Sequence, residues 1–157
     1  MERLMPLSAS ILTRLRHQHE ALPELIGALT EEELKQRVNP DKWSAFEHIA
    51  HLAAYQPAFI GRLERIAAEP TPSFGRYVAE NDPQFPYYLN LSLKELLELI
   101  AGRASQITDK LTILNERDLL RTGLHPKYGQ LTVVEWTQFF LLHEAHHLFT
   151  IFMLTRP

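Results

Sequence analysis

Four stretches of the chain carry a Ser or Thr followed three residues later by Glu, each just ahead of a run with helical apolar spacing. They are Thr30 with Glu33, Ser44 with Glu47, Ser92 with Glu95, and Thr132 with Glu135. In this capping-box pattern the hydroxyl accepts from the backbone N–H three residues on, and the carboxylate reaches back to the N–H of the cap. The runs after Ser44, Ser92 and Thr132 are long. Together with the periodicity of the first segment they predict helices near residues 8–28, 44–68, 92–114 and 132–154, with a short helical turn near 31–37. Pro23 and Pro57 lie inside two of these helices. Proline has no N–H to donate and its ring crowds the preceding turn, so each should cause a local kink or break.

No two alternating runs are joined by a tight Gly-containing turn, and strand pairing is therefore not expected. Residues 69–91 form a long Pro-rich connection that also carries Phe74, Tyr77, Phe85, Tyr87 and Tyr88. Connections of that length are often functional, and this one is a candidate for shaping a substrate mouth. Residues 115–131 form a second connection, which includes His125-Pro126-Lys127-Tyr128-Gly129. Four amphipathic helices with long crossings imply an all-α fold, a four-helix bundle of up-and-down or crossed topology. The 157 residues fit one domain, 1–157, with enough chain to bury a core.

Composition narrows the functional classes. The formal net charge is -3 and no helix face gathers Lys and Arg, so a nucleic-acid partner is not expected. There are no cysteines, which removes disulfides, thiolate ligands and a protein thiol nucleophile, and which suits a cytoplasmic location. Glu2, Arg3 and Pro6 break up the N-terminus, so it does not read as a signal peptide. The most apolar region, Leu131 to Leu154, contains Glu135, Gln138, His143, Glu144, His146 and His147. That is too polar for a lipid-facing span, and no membrane association is expected.

The eight histidines are clustered. His143 and His147 differ by roughly 40° around their helix and project from one face, which Trp136, Phe140, Ile151 and Leu154 share. Two imidazoles in an apolar seam need hydrogen-bond partners or a metal. A useful metal site needs a third ligand, and the second helix offers His51 or His48. His51 shares a face with Glu47, Tyr55 and Ala58, at the border of the stripe formed by Ile49, Leu52, Phe59, Ile60 and Leu63. His48 lies about 60° from His51 and borders the same stripe, so spacing does not separate the two. His17 and His19 are expected to be solvated, and Trp43, Trp136 and Phe140 to be core.

Three stretches taken together resemble the DinB/YfiT-like superfamily of metal-binding four-helix bundles. The run Lys42-Trp43-Ser44-Ala45-Phe46-Glu47-His48-Ile49-Ala50-His51-Leu52 is similar to the family's Trp-Ser opening of helix two and its His-Leu pair. The run from His125 to Trp136 is similar to its lead-in to the last helix, and His143-Glu144-Ala145-His146-His147-Leu148 to its His-x-x-x-His element. The resemblance implies metal ligands at His51, His143 and His147, choosing His51 over His48. It also implies a bundle with crossed connections and a homodimer. It implies no single reaction, because the family includes thiol-dependent transferases and isomerases as well as members described as metal-dependent hydrolases.

Three neutral imidazoles would leave one divalent ion with its full charge and an open position. Zinc and nickel suit imidazole, and iron is compatible. Such an ion activates water, or a low-molecular-weight thiol co-substrate, near neutral pH. Glu144, as a base, and Glu47, His48, Tyr55, Trp136 and Phe140, around the ligands or pocket, complete the candidate site for a small-molecule substrate. His143-Glu144-Ala145-His146-His147 also matches the H-E-x-x-H pattern of zinc peptidases. A metzincin's third histidine would fall on Met153, however, no downstream Glu-bearing helix is expected, and no strand precedes the motif. The remaining alternative is non-catalytic, a dimeric bundle that binds a metal or small molecule.

Overall fold

The computed structural model describes residues 7–157; the N-terminal reading at Glu2, Arg3 and Pro6 lies outside them. All four capping boxes form with both arms in place, at Thr30, Ser44, Ser92 and Thr132. They open α3 (Glu31–Lys35), α4 (Ala45–Ala68), α6 (Leu93–Thr112) and α8 (Val133–Thr155), with α5 (Phe85–Leu89) ahead of α6. The first predicted helix is split. Ser8 caps α1 (Ala9–His17), a 3₁₀ turn covers Gln18–Glu20, and α2 runs Ala21–Ile26. Pro23 has no N–H for the carbonyl of His19, and the backbone tightens there, with the N–H of Ala21 turning to the carbonyls of Gln18 and His19.

Pro57 has a different outcome. α4 continues through it without a break. The carbonyl that its missing N–H would have met belongs to Ala53, and the guanidinium of Arg103 on α6 donates to that oxygen at 2.9 Å. A partner helix thus supplies the hydrogen bond that the proline removes.

The expectation of no strands is corrected. After α7 (Glu116–Leu119) the chain forms an antiparallel hairpin, β1 (Thr122–His125) with β2 (Gly129–Thr132), with His125 opposite Gly129. Gly129 has φ +79°, the left-handed conformation that closes a three-residue hairpin loop. Gly123 lies against Phe74 and Ile66, where an added Cβ would meet Phe74 at 2.6 Å, so only glycine fits. The indole N–H of Trp136 donates to the Gly123 carbonyl at 3.3 Å and ties the hairpin to α8.

The long helices arrange as a crossed bundle. α1 neighbours α6 and α8, and α4 neighbours the same two, so α1 lies opposite α4. The connections α2–α4 and α6–α8 therefore cross the bundle diagonally, unlike an up-and-down bundle in which successive helices are adjacent. Two apolar cores fill the interior. One gathers Phe46, Ile49, Leu52, Phe85, Leu96, Leu148 and Ile151, the other Phe59, Leu63, Ile107, Trp136, Phe140 and Leu141. The first half of α4 packs with the last half of α8, and the reverse, so the two helices run antiparallel. Their histidines lie where one core gives way to the other. Among the described residues no helix is long and apolar enough to cross a membrane.

Candidate metal centre

His51, His143 and His147 meet. One ring nitrogen from each lies within 4.8 Å of the other two. Nε2 of His143 is 3.2 Å from Nε2 of His51 and 3.2 Å from Nε2 of His147. Ligand nitrogens bonded tetrahedrally to one zinc-sized ion at 2.0–2.1 Å stand about 3.3 Å apart, so these separations fit a shared ion. His51 is buried, and His143 and His147 are half-buried.

The trio is set apart by its ring nitrogens, which face one another. Nδ1 of His51 and Nδ1 of His143 are buried with no hydrogen-bond partner among the described residues. Histidines buried for structure alone are expected to be hydrogen-bonded outward to carbonyls or hydroxyls. Here all three rings turn Nε2 inward, toward one point. Burial, reinforced by the neighbouring imidazoles, lowers the pKa of His51 to about 4, of His143 to about 3 and of His147 to about 2. The rings are neutral at pH 7, with lone pairs available to a cation.

His48 stands beside the trio, its Nδ1 2.9 Å from Nδ1 of His147. If Nε2 of His147 faces an ion, its proton is on Nδ1 and donates to His48, which fixes the ring's tautomer and rotation. Trp43 packs on both histidine rings of α4, its centroid 5.3 Å from those of His48 and His51. Tyr55 covers His143 with ring centroids 4.1 Å apart, and Phe140 stacks on Tyr55 and on Phe59. From the long connection, Tyr77 lies 5.8 Å and Phe85 6.5 Å from His51 between centroids. The Tyr77 hydroxyl donates to Asp82 at 2.6 Å, and burial together with that carboxylate raises its pKa.

Other candidates lie elsewhere. Glu47 is held by Arg37 through two bonds of 2.8 and 2.7 Å and by the Ser44 backbone, and it reaches no imidazole. Trp136 is fully buried and anchors the hairpin. Glu144 is buried toward the break after α1, where Gln18 donates to its carboxylate at 3.0 Å and to the Leu141 carbonyl at 2.8 Å. Burial raises the Glu144 pKa to about 7, against the pull of Gln18. None of its hydrogen bonds reaches the trio, so the general base of an H-E-x-x-H peptidase is not presented there. His17 is exposed as expected, whereas His19 is half-buried with its Nδ1 enclosed.

A cavity of about 530 Å³ opens over the exposed edge of His143. Its walls bring Tyr55 and Arg62 from α4 together with Arg76 and Tyr77 from the long connection, Lys127 and Tyr128 from the hairpin loop, and Phe139 from α8. Arg62, Arg76 and Lys127 were not singled out in the sequence. For Arg62 a signal exists, because it falls one heptad after Tyr55, a cation on the apolar stripe of its helix.

A family model described as the DinB superfamily matches residues 14–151. The chain is 27% identical over 144 residues to YuaE, an uncharacterized protein of Bacillus subtilis (strain 168), covering 82% of this chain and 86% of that one. Among solved structures it is similar to YfiT from Bacillus subtilis, described as a probable metal-dependent hydrolase with an unusual four-helix bundle topology. The TM-score is 0.79 at 18% identity, over 99% of this chain and 92% of that one. At that identity the likeness establishes the fold. The family model runs from the first helix into the last and takes in every imidazole of the trio, and the chain belongs to the DinB superfamily.

Proposed function

We propose that this protein is a metal-dependent enzyme acting on a small molecule, with one divalent ion held by His51, His143 and His147. The observation that carries the reading is the convergence of three inward-turned Nε2 atoms beside a cavity, with no further protein ligand in the cluster among the described residues. Bound there, zinc or nickel supplies Lewis acidity that brings water or a thiol to its nucleophilic form near neutral pH. The chain's own part is to keep three rings neutral, to hold His147 through His48, and to shield the site with Trp43, Tyr55 and Phe85. The reaction is hydrolysis or thiol-dependent transfer with a low-molecular-weight co-substrate. Exposed Leu142, Phe149 and Met153 lie on one stripe of α8 and support pairing of two copies as a homodimer.

Elemental analysis of protein purified without an affinity tag tests the site. About one metal per chain is expected, and none in His51→Ala. Full metal content in that variant would overturn the ligand assignment. Assays of activated esters, amides and thiol–electrophile pairs with the loaded protein then separate hydrolysis from transfer. Metal binding without turnover of any class would leave a binding module.

A further inference from the structure

Arg62 is a buried cation without a carboxylate partner among the described residues. It is 8% exposed and takes part in none of the ion pairs they form. Its guanidinium donates to the Tyr55 hydroxyl at 3.3 Å and to the Gly75 carbonyl at 3.2 Å, both neutral acceptors. Aromatic faces complete its cover, with the Trp136 ring at 5.0 Å and the Phe74 ring at 5.8 Å. Ring faces and neutral oxygens offset only part of the cost of taking a guanidinium out of water.

The cavity beside His143 repeats this one-sided chemistry. Among the described residues Arg62, Arg76 and Lys127 line it and no carboxylate does, in a chain whose net charge is -3. Two of its neutral polar groups keep a donor that is not spent on the hydrogen bonds described. Nδ1 of His125 accepts from the backbone N–H groups of Lys127 and Tyr128 at 3.0 and 3.1 Å, which leaves the His125 proton on Nε2. The Tyr55 oxygen already accepts from Arg62, so its O–H is free to donate. Guanidinium groups joined by hydroxyl and imidazole donors are the chemistry that binds carboxylate or phosphate.

We propose that this cavity is an anion subsite. Arg62, Arg76 and Lys127 hold the negatively charged group of a small-molecule substrate, whose body lies along Tyr55 and Tyr128 with its reacting end toward the three histidines. The part that concerns the reacting end rests on the metal reading above; the anion site does not.

Binding of benzoate, phenyl phosphate and neutral benzamide, measured by calorimetry on metal-free and metal-loaded protein, tests it. At least one anion is expected to bind the metal-free chain about tenfold more tightly than benzamide, the scale of one hydrogen bond to a charged group. The better of the two anions identifies the group. Arg76→Gln and Lys127→Gln change exposed side chains and leave the fold intact, and each is expected to weaken anion binding severalfold while benzamide binding stays the same. Equal binding of all three probes overturns the proposal. So does an anion preference that both variants retain, or one that exists only in the metal-loaded protein, where the ion itself would be the receptor. Metal content, measured separately, judges the histidine site, so failure of one reading is distinguishable from failure of the other.

Discussion

Of the three clustered histidines, His147 is the one whose orientation is set by another side chain within the site. Its Nδ1 is 2.9 Å from that of His48, whereas the corresponding atoms of His51 and His143 have no partner among the described residues. His48→Ala is therefore expected to keep the stoichiometry of one metal per chain but to lower affinity about 10- to 100-fold, as loss of a group that orients a ligand does. Competition against a chelator measures this, and unchanged affinity would remove His48 from the site. The two roles on α4 were not legible from periodicity, because positions 48 and 51 border the same stripe. The resemblance to the family separated them, and the structure places His51 in the trio and His48 behind it. Glu144 was also illegible: it stands inside a motif that suggests a base, yet its partner Gln18 lies at the opposite end of the sequence.

At the scale of elements, helix starts were plain in the sequence because capping boxes are local and each formed as written. Breaks and the hairpin were less so. The strands of the hairpin are four residues each, too short for alternation to show, and Gly129 closes the loop through its backbone conformation rather than a side chain. Whether a proline breaks its helix depends on a distant partner, since Arg103 supports the turn ahead of Pro57 and, among the described residues, no side chain from another helix does the same ahead of Pro23. Arg103→Ala is expected to destabilise the fold by about 1–3 kcal/mol, because the Ala53 carbonyl is left buried without a donor. Pro57→Ala in the same chain restores the intrahelical N–H and is expected to recover much of that loss. Denaturant unfolding of the two single variants and the double variant gives the coupling, and strict additivity would show that Arg103 acts only through its packing on Tyr88.

Over the whole molecule, protonation and fold are linked. Burial lowers the pKa of His19, His48, His51, His125, His143 and His147. Below about pH 6.5 the unfolded chain takes up protons that the folded chain refuses, so stability falls with pH. Glu144 acts in the opposite sense. Its folded pKa is raised to about 7 against an ordinary 4.5, and its share of stability is lost as pH rises between those values. Six groups outweigh one, so the metal-free protein is expected to melt at progressively lower temperature from about pH 6.5 to about pH 5 in scanning calorimetry. A flat profile would mean that the imidazoles accept protons without unfolding. Saturating metal is expected to raise the melting temperature on the order of 10 °C at neutral pH, the effect of a ligand near a thousand times its Kd.

The bundle also divides labour by kind of backbone. The three imidazoles stand on long, mutually packed helices, while Arg76 and Lys127 are exposed side chains on the segments that join helices. Exchange of those two exposed side chains alone would alter what the cavity recognises and leave the histidine cluster and the core residues Phe74, Phe85 and Tyr88 in place. A lineage built on this plan can therefore diversify its chemistry of recognition at such exposed connector positions, at little risk to the scaffold.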